Sequence, residues 1–213
     1  MLRYIYAEDL PRHPKLEESM FRDRATQFRD RLKWDVNVDD KGWETDEYDA
    51  LNPLYVIWQR ADGSHGGSMR FLPTTGQTMV NDHFLHLTQG VAIQSPLIWE
   101  CTRFCLAPDA DGRIAAALMA GGGELMRAFD VTHFVGVFDQ RMKRIYRHIG
   151  AIPDVLGEDG EGRSRIAVGL WHFDPANRVR VLERAQISSA MSEHWFRQSF
   201  GIPLPAQEAA LTA

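Results

Sequence analysis

Hydrophobic and polar positions follow two patterns along this chain, one typical of strands and one typical of helices. Short, mostly apolar runs bounded by turn residues favour buried strands. Longer stretches with apolar residues at steps of three and four favour helices that bury one face. The predicted strands cover residues 1–7, 54–59, 65–72, 97–106, 131–138 and 163–173. The predicted helices cover residues 14–32, 111–130, 139–150 and 175–198, with a short helical piece over 80–87.

This order of elements predicts one α/β (α+β) domain. The length of 213 residues suits a single hydrophobic core, and we place that single domain at residues 1–200. Residues 201–213 follow the last helix and are expected to form a loose tail. Residues 35–53 are acidic and aperiodic, which indicates an ordered loop rather than a linker. Spacing alone predicts a three-layer αβα sandwich.

Composition and charge narrow the class of protein. A hydrophobic content of 44% and a charged content of 25% are ordinary for a globular protein. The net charge of −5 argues against binding to nucleic acid. The sequence has no apolar run long enough for a membrane span and no signal-peptide pattern, so we expect a cytoplasmic protein. The sequence leaves the oligomeric state open, with a monomer as the default expectation. Cys101 and Cys105 share one predicted strand and are expected to stay reduced, and no metal-ligand spacing is present.

Several charged residues stand where a core would carry apolar side chains. Arg24 shares a predicted helix face with Phe21, Phe28 and Leu32. An arginine buried on such a face needs a partner, because an unpaired buried charge is costly. The carboxylate-rich stretch at residues 43–49 offers candidate partners. Further charged residues on predicted strands are Arg70, Glu100 and Arg103.

The ordered set of these residues resembles the acyl-homoserine-lactone synthases of the LuxI type. The set comprises Arg24, Phe28, Trp34, Asp46, Asp49, Arg70, Phe84, Glu100 and Arg103. The resemblance runs from the N-terminus to the helix that ends near Gly150. It implies a mixed central sheet like that of the N-acetyltransferases, with a cleft for an acyl chain. It also implies that residues 1–53 form the S-adenosylmethionine-binding segment within the single domain.

The resemblance implies a two-step reaction that makes a quorum-sensing signal. The amine of S-adenosylmethionine attacks an acyl thioester, and the methionyl carboxylate then displaces methylthioadenosine as it closes the lactone. S-adenosylmethionine is therefore expected as a substrate, and no cofactor or metal is expected. Acyl carrier protein is favoured over coenzyme A as the acyl donor. The alternative is an N-acetyltransferase-like enzyme that uses an acyl-coenzyme A on another amine.

Glu100 matches the family's candidate for the general base that removes the ammonium proton, directly or through a water. Its other interpretation is a structural ion pair with an arginine. The resemblance gives catalytic roles to Glu100, Arg103, Asp46, Asp49 and Arg70, and substrate-binding roles to Arg24, Phe28, Trp34, Phe84 and Arg103. We expect Arg24 and Arg70 to hold Asp46 and Asp49 in a charge network, although either arginine could instead bind the substrate carboxylate.

Aromatic residues complete the expected substrate site. Trp34 and Phe28 would form a wall for the adenine or the sulfonium, with core packing as the alternative for Phe28.

The spacing of Glu100 and Arg103 limits how both side chains can reach one site, because residues three apart on a regular strand point to opposite faces. If both line one site, a β-bulge or a strand break must lie between them.

The resemblance places the acyl pocket along the strand at 131–138 and the helix beside it. The expected wall residues are Trp99, Leu118, Met119, Gly136 and Phe138, whereas Met126 is expected in the core. The resemblance associates a preference for 3-oxo chains with a threonine or serine on this strand, and residues 136–139 contain neither, which argues against that preference. The helix at 139–150 carries a local charge of +3 and is expected to dock the acidic carrier protein, although it could be a solvated face or bind coenzyme A phosphates. Its docking residues are Arg141, Lys143, Arg144 and Arg147.

Overall fold

A computed structural model describes residues 1–203, so residues 204–213 of the expected tail lie outside the described residues. Seven strands form one sheet in the order β1-β2-β3-β4-β5-β7-β6. The strands are β1 (Leu2–Tyr6), β2 (Leu54–Gln59), β3 (His65–Pro73), β4 (Ile98–Leu106), β5 (His133–Asp139), β6 (Asp154–Asp159) and β7 (Ile166–His172). The helices are α1 (Pro14–Ala25), α2 (Met79–His83), α3 (Gly112–Ala128), α4 (Met142–Ile149), α5 (Pro175–Ala185) and α6 (Ser189–Ser199).

The sheet is mixed and splits at its centre. Strands β1 to β4 pair antiparallel, and so do β5, β7 and β6. Between these two groups, β4 and β5 run parallel and pair only from Ile98 to Glu100, opposite His133 to Val135. Beyond Glu100 the two strands diverge, which opens the predicted cleft in the middle of the sheet.

Helices cover both faces of the sheet and complete the predicted three layers. On the front face, Met20 and Phe21 of α1 pack against Ile57 of β2. On the back face, Leu118 of α3 packs with Val56 of β2 in the largest core cluster. Val56 and Ile57 are neighbours on one strand, and their opposite directions follow from the two-residue period of a strand.

The structure adds one strand to the predicted elements and divides one predicted helix in two. Strand β6 was not predicted, because it is an edge strand whose exposed sequence lacks apolar alternation. The helix predicted over 175–198 is two helices, α5 and α6. Gln186 adopts a left-handed conformation with φ of 56° after α5, and the hydroxyl of Ser188 accepts a hydrogen bond from the N–H of Met191 to start α6.

The long helix α3 contains the three consecutive glycines at 121–123. A Cβ atom at Gly121 would lie 2.6 Å from Cγ1 of Val56, so the helix backbone approaches the sheet too closely for a larger residue. The cost of glycine in the helix is therefore offset by close packing.

Within the described residues, no helix is long and apolar enough to cross a membrane.

Candidate active site

A cavity of about 650 Å³ passes through the split between β4 and β5. We call the part on the α1 and α2 face the front half; its wall includes Phe28, Trp34, Asp46, Glu47 and Glu100. We call the part on the α3 face the back half; its wall includes Met119, Met126, Phe134, Gly136, Phe138 and Trp171. The front wall is aromatic and charged, whereas the back wall is mostly apolar.

Arg24 is fully buried behind the front half. Its Nε donates to Glu44 Oε2 at 2.6 Å, and its two terminal nitrogens donate to the carboxylate of Asp49 at 3.0 and 2.9 Å. The expected pairing with Asp49 is therefore confirmed. Arg24 does not line the cavity, so a direct contact with substrate stays a prediction that this geometry does not favour. Its charge is used to hold Asp49 and Glu44, because both terminal nitrogens and Nε are already bonded.

Arg70 is the second arginine of the charge network. It donates to both oxygens of Asp46, at 2.9 Å for the Nη2–Oδ2 bond, and to Asp49 Oδ1 at 2.8 Å. The hydroxyl of Tyr55 also donates to Asp49 Oδ1 at 2.5 Å. Arg70 and Asp49 lie behind the cavity wall, not on it, so any role they have in the chemistry acts through Asp46 and its neighbours.

The backbone around the two aspartates presents both side chains inward. The Asp46 carboxylate accepts from the N–H groups of Tyr48 at 3.0 Å and Asp49 at 3.3 Å, and the Asp49 carboxylate accepts from the N–H of Asp46 at 2.9 Å. This reciprocal capping box starts a 3₁₀ turn over Glu47–Leu51. The three-residue spacing of the aspartates is thus the spacing that a helix start requires.

Arg103 completes the network from β4. Its Nη2 lies 2.9 Å from Glu44 Oε1 and 2.7 Å from Asp46 Oδ2. The pairing register between β3 and β4 shifts at this point, and Arg103 has a left-handed φ of 51°. The β-bulge that the sequence required is therefore present. It turns Arg103 toward the same face as Glu100.

Glu44 was not singled out in the sequence, yet it is fully buried between Arg24 and Arg103. It brings the network to three arginines and three carboxylates, which balance. Burial opposes ionisation of Asp49, but the guanidinium groups of Arg24 and Arg70 hold its pKa well below the usual range. The network is therefore self-neutralised. Its Asp46 and Arg103 edge faces the cavity, and these side chains are 11% and 10% exposed.

Glu100 lies at the split in the sheet and is 1% exposed. Its carboxylate accepts from the backbone N–H groups of Met79 at 3.0 Å and Val80 at 2.6 Å. Burial raises the pKa of Glu100 to about 7, against the lowering effect of these two N–H groups. Among the described residues no arginine pairs with it, so the alternative of a structural ion pair is wrong; its structural partner is the first turn of α2.

Phe28 and Trp34 form the expected aromatic wall. Their rings stack at 5.3 Å with an interplanar angle of 9°, and the guanidinium of Arg103 lies 5.4 Å from the centre of the Phe28 ring. Phe28 lies in a π-helical turn over Thr26–Arg31 that continues α1 and changes the helix predicted to Leu32. Phe84 follows α2 and also lines the front half.

The back half contains three of the five residues expected for the acyl pocket, namely Met119, Gly136 and Phe138. Leu118 is fully buried against the sheet, because it lies about 100° from Met119 around α3 and so points to the core. Trp99 packs on Phe129 at 5.3 Å, away from the cavity. Met126 lines the cavity, contrary to the expectation that it belongs only to the core.

The basic residues near α4 divide into two pairs. Arg141 binds Asp139 at 2.7 Å, and Lys143 binds Glu158 of the unpredicted strand β6. Arg144 and Arg147 are exposed and have no carboxylate within salt-bridge distance in residues 1–203. The unpaired positive charge on the surface of α4 is therefore smaller than the sequence indicated.

The described residues contain no group of three or more His, Cys, Asp or Glu arranged to hold a metal.

The family model and the curated relatives that match this chain describe the same class of enzyme. Residues 8–181 match the family model described as autoinducer synthase. An acyl-homoserine-lactone synthase of Rhizobium etli is 39% identical over 199 residues, which cover 87% of this chain and 93% of that protein.

Two solved structures share the fold. One is a CoA-dependent acyl-homoserine lactone synthase, BjaI, with SAM and isopentyl-CoA; its TM-score is 0.78 at 22% identity, covering 89% of this chain and 90% of that one. The other is an acyl-CoA N-acyltransferase from Pseudomonas aeruginosa, with a TM-score of 0.52 at 14% identity, covering 81% of this chain and 99% of that one. The expected acyltransferase-like sheet is thus confirmed.

Proposed function

The chain belongs to the autoinducer synthase family as an acyl-homoserine-lactone synthase, and we propose that it acylates the amine of S-adenosylmethionine from acyl carrier protein. The observation that carries this proposal is the position of Glu100. Its buried carboxylate lies where the charged front half and the apolar back half of the cavity meet. A base at this junction can reach an amine in front while the acyl chain occupies the back.

The front half suits a sulfonium and an ammonium group. Asp46 and Glu47 supply negative charge on its wall, and the stacked rings of Phe28 and Trp34 supply π faces for a cation or an adenine. The exposed edge of Arg103 orients the substrate carboxylate. Arg24, Arg70 and Asp49 act as positioning residues, because they hold this wall from behind.

In the first step, Glu100 takes a proton from the substrate ammonium, directly or through a water. The amine nitrogen then forms a bond to the thioester carbon, and the carbon–sulfur bond breaks with its electron pair on sulfur. In the second step, an oxygen of the methionyl carboxylate attacks the carbon bonded to the sulfonium and releases methylthioadenosine. A pKa near 7 lets Glu100 act in both protonation states at neutral pH.

The acyl carrier protein is favoured as donor by the surface beside the back half. Arg141, Met142 and Ile145 line the cavity, so its mouth opens next to α4. Arg144 and Arg147 lie exposed on the same helix and suit an acidic partner. Coenzyme A is the alternative donor, since BjaI is a CoA-dependent synthase.

Charge reversal on α4 tests whether the carrier protein docks there. Arg144→Glu combined with Arg147→Glu should lower kcat/KM for an acyl carrier protein thioester by about tenfold or more, because the variant repels an acidic partner. The same acyl group on pantetheine, which lacks the acidic protein, should react as with wild type. Arg12→Glu, at an exposed position far along the chain, is the matched control. An unchanged rate with the carrier protein thioester would contradict docking at α4.

A further inference from the structure

The carboxylate of Asp139 fixes the guanidinium of Arg141 at the mouth of the cavity. This carboxylate accepts from Nη2 of Arg141 at 2.7 Å, from its Nε at 3.1 Å and from its backbone N–H at 2.9 Å. Asp139 is 8% exposed and ends β5, whereas the Arg141 side chain is 53% exposed and lines the cavity. A buried carboxylate therefore sets the direction of an arginine that a ligand can reach.

Asp139 uses only one edge of the Arg141 guanidinium. Nε and Nη2 face this carboxylate, and Nη1 makes no hydrogen bond to any other residue between 1 and 203. The remaining N–H groups of Nη1 and Nη2 point the same way and match the spacing of two phosphate oxygens. Because Asp139 already holds the side chain, little rotamer freedom is lost when this second edge binds an anion.

The charges beside Arg141 favour an anion at the mouth. Asp139 neutralises Arg141 itself, so this pair adds no net charge. Arg144 and Arg147 lie on the same helix, with no carboxylate within salt-bridge distance in the part of the chain that the structure describes. Their unpaired charges make the surface next to the mouth positive, which attracts an anion from solution.

The position of Arg141 along the split between β4 and β5 indicates which anion reaches it. Glu100, the proposed base, pairs with Val135, and the residues at 136–139 line the cavity beyond that point. From Val135 to Asp139 the rise of a strand gives roughly 13 Å. A pantetheine arm has about the backbone length of four residues, so it spans roughly 15 Å from its thioester sulfur to its phosphate. An arm that leaves Glu100 along the split therefore brings its phosphate to Arg141.

We propose that the guanidinium of Arg141, held by Asp139, binds the phosphate of the pantetheine arm that carries the acyl group. This proposal rests on the proposed acyl transfer, but it holds for either donor. The arm of acyl carrier protein ends in a phosphodiester, and coenzyme A has its pyrophosphate at the same place on the arm. Arg141 is thus a substrate-binding residue that recognises the arm, and Asp139 is its positioning residue.

The test compares Arg141→Gln with wild type on two donors that carry the same acyl chain, a pantetheine thioester and a 4′-phosphopantetheine thioester. Wild type should show a kcat/KM about tenfold higher or more for the phosphorylated donor, because the pair of guanidinium and phosphate is charge-assisted. Arg141→Gln should lose this preference and keep the wild-type rate with the pantetheine thioester. Arg147→Gln is the matched control, because Arg147 is exposed on the same helix and does not line the cavity.

Three results of this comparison would overturn the proposal. The first is a wild-type protein with no preference for the phosphorylated donor, and the second is a preference that Arg141→Gln retains. The third is an equal loss of rate with both donors, which would indicate a structural role for Arg141. A loss of the preference in Arg147→Gln as large as that in Arg141→Gln would assign it to the general charge of α4 and would also count against the proposal.

The two natural donors distinguish the sources of the phosphate. Arg141→Gln should lower kcat/KM by a similar factor with acyl carrier protein and with acyl-coenzyme A, because both carry the phosphate on the arm. A loss confined to the carrier protein would assign Arg141 to protein docking, and a loss confined to coenzyme A would assign it to the nucleotide. Either result would overturn the proposal.

A binding measurement separates this proposal from the proposed function. Calorimetry with 4′-phosphopantetheine and with pantetheine, neither of them acylated, needs no reaction. Wild type should bind the phosphorylated compound about tenfold more tightly, and Arg141→Gln should bind the two alike. Failure of wild type to acylate S-adenosylmethionine with every donor would refute the proposed function, whereas equal binding of the two compounds by wild type would refute the phosphate site.

Discussion

Glu100 accepts a hydrogen bond from the backbone N–H of Val80 at 2.6 Å, and this contact ties the central strand β4 to the first turn of α2. The N-cap residue of α2, Thr78, makes no side-chain capping bond, so the glutamate takes that place. The residue proposed as the base is thus also a structural anchor. Experiments on it need to separate the two roles.

The first prediction concerns the pH dependence of acylation. The ionised carboxylate of Glu100 is the base, so the wild-type kcat/KM should rise as pH increases through about 7. Glu100→Gln should lower the rate by roughly 10²- to 10⁴-fold and remove this rise. Glu183→Gln, at an exposed position that does not line this cavity, is the control. A variant that kept the same rise would show that another group is the base.

The second prediction concerns the effect of Glu100 on the free energy of unfolding. Burial raises the pKa of Glu100 from 4.5 to about 7, so the unfolded chain ionises first as pH increases. The free energy of unfolding of wild type, relative to Glu100→Gln, should therefore fall by about 3 kcal/mol between these two pH values. Denaturant unfolding of both proteins across this range measures the difference. A difference that does not change with pH would contradict the raised pKa that the buried position of Glu100 produces.

The third prediction concerns the buried charge network. Asp49→Asn removes the carboxylate that faces Arg24 and Arg70, which leaves two buried guanidinium groups short of a partner. The free energy of unfolding should fall by about 3–5 kcal/mol. Asp40→Asn, at an exposed position of the same loop, should change it by less than about 0.5 kcal/mol. Equal stability of the two variants would mean that the network does not hold the loop.

The fourth prediction concerns the point where β4 and β5 diverge. A Cβ atom at Gly136 would lie 2.6 Å from the carbonyl oxygen of Cys101, so Gly136→Ala must displace one of the two strands. We expect kcat/KM for the acyl donor to fall by about tenfold, since small displacements misplace reacting groups. Binding of S-adenosylmethionine in the front half, measured by calorimetry, should stay unchanged.

Gly112→Ala is the control for this substitution, because nothing lies within 4 Å of a Cβ atom at Gly112. Weaker binding of S-adenosylmethionine to Gly136→Ala would contradict the division of the cavity into two halves. Normal activity of Gly136→Ala would show that the strands move apart without effect on the acyl group.

The sequence predicted the layers, most elements and the network, because each depends on local periodicity or on a charge that needs a partner. The pairing of Arg24 with Asp49 follows from the cost of a buried unpaired arginine. The bulge at Arg103 follows from the two-residue period of a strand. Strand β6 gave no such signal, since an exposed edge strand needs no apolar alternation.

The inward position of Glu44 depends on tertiary contacts. It lies in the same acidic stretch as Asp46 and Glu47, but its backbone N–H donates to the carbonyl of Phe21 at 3.1 Å, which docks the loop on α1. Periodicity cannot show which carboxylate of an irregular loop turns inward. For the same reason the sequence could not separate Leu118 from Met119, whose roles depend on which elements flank α3.

The most direct test of the account is mass spectrometry of the products that the purified protein makes from S-adenosylmethionine and one acyl group supplied on acyl carrier protein or on coenzyme A. We predict an acyl-homoserine lactone and an equal amount of methylthioadenosine, formed with a higher kcat/KM from the carrier protein. An acylated amine formed without methylthioadenosine, or no lactone from either donor, would contradict the account.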